Sequence, residues 1–166
     1  SALPALPADP TATGPPPGQE LPDKVLVFSQ WTGMLDLVEA PLQEAGIDFR
    51  RLDGSMSIVK REEAITDFKE NPHVMVMLVS LKAAALGLNL VVANHVVLLD
   101  LWWNPTVEQQ AIDRAHRIGQ TRKVNVTRIT IEGTVEERIL ALQRRKQGMV
   151  EAAFGEGGPG AGEAAS

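Results

Sequence analysis

Residues 110–120, Gln-Ala-Ile-Asp-Arg-Ala-His-Arg-Ile-Gly-Gln, hold the side chains best suited to chemistry. Arg114 and Arg117 are three apart, so on a helix both leave from one face, with Gln110 a turn earlier on that face. Two permanently charged guanidiniums beside a carboxamide suit a polyphosphate, because each Arg offers a planar fork of donors to phosphate oxygens. The competing explanation is a surface helix whose arginines form exposed ion pairs of little worth. A complete nucleotide site also needs a loop of the form G-x-x-x-x-G-K-[ST], whose backbone amides cradle phosphate. The sequence has no such loop. These residues therefore read as half of a nucleotide site.

The elements that must position them alternate. Residues 24–29 form a short apolar run bounded by Pro22 and Asp23, which reads as a buried strand. A helix over 32–45 follows, with Met34, Leu35, Val38 and Leu42 at helical spacing, Gly46 as its stop, and Pro41 expected to kink or split it. Further strands are expected at 49–52, 74–80, 96–100 and 124–131, and a helix at 57–70 closed by Asn71-Pro72. Residues 106–116 read as a helix opened by a capping box of Thr106 and Gln109, and Thr134 with Glu137 opens a last helix to about Val150. This alternation predicts an α/β fold, a parallel sheet with helices on both faces and functional loops at the carboxyl ends of the strands.

Composition bounds the rest. The 166 residues suffice for one cored domain and are too few for two. Residues 1–23, dominated by Pro, Ala, Gly and Thr, and residues 151–166, rich in Gly, Ala and Glu, lack apolar periodicity and are expected to be disordered, leaving 24–150 as the folded lobe. No stretch nears the roughly 18 apolar residues of a membrane span, and no basic segment precedes an apolar run, so a soluble intracellular protein without membrane partners is expected. Without Cys there is no disulfide or thiolate metal site, and His73, His95 and His116 have no ligand spacing, so no metal is expected to be held by this chain alone. The net charge of −5 conceals a sign change, because between Arg114 and Lys146 the bases number nine and the acids three. That basic third suits phosphate contacts or simply a solvated helix face.

Residues 24–150 resemble the second RecA-like lobe of Swi/Snf-type DNA-dependent ATPases, a P-loop NTPase type lobe lacking the P-loop itself. The resemblance rests on residues 110–120 and on six further blocks in the family's order: Val27-Phe28-Ser29-Gln30-Trp31, Leu52-Asp53-Gly54-Ser55, Ser80-Leu81-Lys82, Gly87-Leu88-Asn89-Leu90, Trp103-Asn104-Pro105 and Gly133-Thr134-Val135-Glu136-Glu137. The Ser-Gln-Trp block and the Trp-Trp-Asn-Pro run are most similar to the branch of the helicase-like transcription factor and the yeast DNA-repair ATPases. The resemblance implies a nuclear motor lobe of an ATP-dependent double-stranded DNA translocase, in chromatin remodelling or repair. ATP and Mg²⁺ would be bound together with an N-terminal lobe of the same protein, and the DNA would be nucleosomal.

It further implies that Arg114 and Arg117 are catalytic, that Gln110, Gly87 and Asn89 face the nucleotide, and that Ser29, Gln30, Arg51, Ser80 and Lys82 face DNA. Each has a plainer alternative. Trp31 could pack under the first helix, 52–55 reads as an ordinary turn, and Trp103-Asn104-Pro105 reads better as a wedge setting the entry of the arginine helix than as a base-stacking platform. The family has two glycines where this chain has Ala84 and Ala85, and Ala tolerates positive φ poorly. That departure favours a non-catalytic protein-binding module on the same fold. An RNA helicase lobe is disfavoured, since Gly119-Gln120-Thr121 stands where those proteins carry a further arginine-glycine pattern.

Overall fold

The computed structural model describes residues 21–155. They form two compact units that divide between Thr130 and Ile131, inside the 24–150 span expected as a single lobe. The first unit holds five parallel strands: β1 (Val25–Ser29), β2 (Asp48–Leu52), β3 (Val74–Ser80), β4 (His95–Leu98) and β5 (Asn125–Arg128), in the spatial order β2-β3-β1-β4-β5. Four helices connect them: α1 (Thr32–Glu44), α2 (Ile58–Glu70), the single turn α3 (Leu81–Ala84) and α4 (Pro105–Ile112).

β1 and β3 are central and read as near-continuous apolar runs, because both faces of a parallel sheet are covered. Alternation along β1 sends Leu26 and Phe28 into a core shared with Phe68 of α2, Ala83 of α3 and Ala111 of α4. Val27 goes to the opposite core with Leu35 of α1. Helices therefore cover both faces, as the alternation predicts. β1 runs in register with β3, from Val25↔Val76 to Ser29↔Ser80, so the carboxyl ends of the two central strands finish together.

Two expectations about helices are corrected. Pro41 does not split α1: it lies in the last turn, and the carbonyl its missing N–H would have met belongs to Leu37, a residue exposed to water. α4 does not run over 106–116. Asn104 caps it instead of Thr106, its Oδ1 accepting from Thr106 N at 3.1 Å, and Pro105 takes the first helical position, where no N–H is missed. The helix ends at Ile112, so Arg114 and Arg117 stand on a turn beyond it.

In the second unit α5 (Val135–Gly155) runs five residues past the expected end at Val150. Its start departs from a simple capping box. Thr134 Oγ1 accepts from Glu136 N at 3.3 Å, while the Glu137 carboxylate takes the N–H of Gly133 at 3.0 Å rather than that of Thr134.

Candidate functional site

The segment after α4 is built from tight turns. Arg114 N donates to Ala111 O at 3.2 Å and Ala115 N to Ile112 O at 3.0 Å, the i to i−3 pattern that often ends a helix. The chain leaves the helical path because it is bound from outside: Leu90 N donates to Arg114 O at 3.0 Å, which fastens the turn to the loop after α3. Gly87 opens that loop with φ 73°, and a Cβ there would lie 3.9 Å from Arg114 Nη1. Arg114 Nε turns back to Gln110 O at 3.1 Å.

Gly87, Gln110 and Arg114 are thus brought together as expected of a nucleotide site. The route is a turn folded onto a loop, and the argument from one helical face does not hold. Asn89 shares the loop, its Oδ1 accepting from Val91 N at 3.4 Å. Arg117 is exposed at the tip of the turn, before Gly119 with φ 99°. Neither arginine forms an ion pair among the described residues, nor does Lys82. Lys82 on α3 and two arginines on the turn after α4, three cations without a carboxylate partner among the described residues, are suited to an anionic ligand.

The residues expected to face DNA divide into two groups. Lys82 is exposed on α3, and Trp31, 63% exposed, does not pack under α1. Ser29 and Ser80 are buried, and their hydroxyls are used internally, which corrects their expected place on the surface. Ser29 Oγ donates to Asp100 and accepts from Trp31 N at 3.0 Å, while Ser80 Oγ caps α3 by accepting from Ala83 N at 3.2 Å. Both serines shape the turns that carry Gln30, Trp31 and Lys82.

Arg51 is corrected as well. Its guanidinium donates to Asp36, to Glu39 at 2.6 Å and to Asp53 at 2.8 Å, so three carboxylates surround one cation. Burial opposes its charge, yet the bonds to Glu39, Asp36 and Asp53 outweigh it and hold the pKa above the ordinary arginine value. An Arg so committed has no free fork for a phosphate.

Several organising residues escaped the sequence reading. The Asp100 carboxylate accepts from Ser29 Oγ and, at 3.0 Å, from Gln30 N, and so fixes the turn after β1 from the end of β4. Glu108, 3% exposed, accepts from Trp102 N at 3.1 Å and from Arg128 Nε at 3.0 Å, joining the tryptophan run to β5. The Gln120 side chain is bound to the loop over 91–93. Only helix-side partners at fixed offsets are visible in a sequence, and apart from Trp102, six residues from Glu108, these partners are 20 to 71 residues away.

The alanine pair also looks different in place. Ala84 ends α3, and Ala85 caps it with φ −62°, so neither has positive φ. The strain expected from losing the family's glycines is absent, and with it the one feature that favoured a non-catalytic module.

Comparison with known proteins shows the family and the fold. The family described as helicase conserved C-terminal domain matches residues 18–119. The chain is 66% identical over 135 residues to the helicase-like transcription factor CHR28 of Arabidopsis thaliana, covering 81% of this chain and 14% of that protein. It is 48% identical over 131 residues to the DNA repair protein RAD5A of the same plant, covering 79% of this chain and 13% of that one. Among solved structures it is similar to the C-terminal part of the Fun30 ATPase domain, with a TM-score of 0.71 and 41% identity over 73% of this chain and 39% of that one. The chain therefore spans a small part of the curated relatives it matches.

Proposed function

The chain belongs to the helicase conserved C-terminal domain family, with a RecA-like fold and SWI/SNF-type relatives, and from that premise we propose that it is the second motor lobe of an ATP-dependent double-stranded DNA translocase. The work would lie in chromatin remodelling or DNA repair, in the nucleus. The observation that carries this reading is the arginine turn bonded onto the Gly87 loop, with Arg114 and Arg117 free of carboxylates.

ATP, bound between this lobe and a first lobe of the same protein, supplies the phosphoryl group that is transferred to water. The residues here fit such a group: unpaired guanidiniums offer forks to phosphate oxygens, and a glycine leaves room for close approach. The Mg²⁺ that accompanies ATP is assigned to the first lobe, as the family resemblance implies. Arg117, at the tip, stabilises charge developing on the transferred group, and Arg114, held by Gln110 O, stands behind it. Gln110 and Asn89 are assigned to the nucleotide side together with them. Lys82 and the turn over 29–31 contact the sugar-phosphate backbone of DNA without reading bases. α3 and its loop connect the two sides, since Lys82 and Gly87 are five residues apart.

In the full-length parent protein Arg117→Ala should lower DNA-stimulated ATP hydrolysis by roughly three orders of magnitude, the low end for an arginine finger, and leave duplex affinity within a few fold. Lys82→Ala should instead weaken duplex binding and flatten its salt dependence. Loss of DNA binding with an intact hydrolysis rate in Arg117→Ala would show that the arginine turn serves the other ligand.

A further inference from the structure

The arginine turn has two external anchors, and Arg117 lies between them. Ahead of it, Arg114 O receives Leu90 N at 3.0 Å. Behind it, the Gln120 carboxamide Nε2 donates to Val91 O at 2.9 Å, Ala93 O at 2.7 Å and Ala115 O at 3.1 Å, while its Oε1 accepts from Arg122 N at 2.9 Å. A single amide group thus joins the base of the turn, at buried Ala115, to the loop that begins at Gly87. Between these anchors the tip is exposed and has little packing of its own: Ile118 is 85% exposed, and Gln120 N to Arg117 O is a bond local to the turn. The guanidinium of Arg117 therefore takes its place in space from backbone that Gln120 holds.

We infer that Gln120 is a positioning residue for Arg117, acting through the turn and not on the nucleotide. This rests on the reading of Arg117 given above. The role requires a carboxamide, because its two N–H groups, one of them shared, serve three carbonyls and its oxygen serves Arg122 N. A carboxylate would meet three carbonyl oxygens, and an apolar chain would leave them without a partner. Misplacing a catalytic group by about 1 Å can cost roughly a hundredfold in rate, so looseness at the base of the turn has a large effect at its tip.

The test is a double-mutant cycle in the full-length protein with Arg117→Ala, Gln120→Met and both together. Met is unbranched and similar in length to Gln, which limits damage to folding, and thermal melting of each variant sets an assay temperature at which all are folded. The expected result is a fall in kcat of roughly a hundredfold for Gln120→Met at saturating ATP and duplex DNA. The double variant should then be no slower than Arg117→Ala alone, since residues that act as a unit do not add. A purely structural role would give independent losses that multiply, and that outcome overturns the proposal while leaving the Arg117 assignment standing. Unchanged kcat in Gln120→Met also overturns it. Unchanged kcat in Arg117→Ala removes both the arginine reading and the positioning role built on it.

Discussion

Lys24 occupies an unexpected place for a lysine: 2% of its surface is exposed, and its ammonium donates to the carbonyls of Phe68, Asn71 and Val74. Two of these lie at the end of α2, so the cation satisfies carbonyls that a helix terminus leaves open and sits at the favourable end of its dipole. Burial draws its pKa below the ordinary lysine value, with Asp67 opposing and Arg122 assisting. Asp53 shows the complementary case for an acid. The Ser55 hydroxyl, then the Ser55 N–H and Arg51, hold its carboxyl below the usual range against the effect of burial. A depressed carboxyl pKa means stability that is present above the unfolded value, about 3.9, and lost as pH falls through the folded one. Melting curves of the wild type should therefore drop between about pH 5 and the folded pKa, and Asp53→Asn should remove part of that drop. An equal acid loss in both proteins would mean that Asp53 is not held by Ser55 and Arg51 in solution.

At the scale of elements, α3 tests whether the chain needs the two glycines that the family resemblance implies at Ala84 and Ala85. Ala84 is buried and helical and Ala85 caps α3 with helical φ, so glycine at either site adds backbone entropy to the unfolded state and returns nothing in geometry. The Ala84→Gly, Ala85→Gly double variant should lose about 1–2 kcal/mol in urea unfolding without a faster DNA-stimulated ATPase in the full-length protein. A rise in turnover would show that the loop must change conformation during the cycle and that alanine restrains it. The strands and the first two helices were legible because their signals are local, such as the apolar run of β3, the Asn71-Pro72 close of α2 and Gly46 after α1. The end of α4 was not, since the bonds that stop it come from Leu90 and Gln120, and propensity alone would continue the helix through Ala115. The same limit hid Asp100 and the burial of Ser29, which depend on a partner 71 residues away. The identities of Arg114, Gln110 and Gly87 were readable, whereas the turn that assembles them was not.

At the scale of the whole molecule, the proposed function makes the arginine turn half of a nucleotide site. Its cations are suited to bind phosphate and stabilise charge on it, but a guanidinium, which is always protonated in a protein, cannot take a proton from water. Hydrolysis also needs a carboxylate or equivalent placed to orient water and a metal to neutralise the leaving phosphates. The sequence has no phosphate loop. The 166-residue chain alone should accordingly show no ATP hydrolysis above a buffer blank, with or without duplex DNA, in a phosphate-release assay. Turnover by the purified chain that disappears in Arg117→Ala would refute the half-site reading, because it would place a water-activating group and a metal site within this lobe. Turnover that survives Arg117→Ala would point to a contaminating ATPase. The comparison of these two proteins, made at the same DNA concentration and salt, separates a complete enzyme from a lobe that contributes charge to a site shared with another.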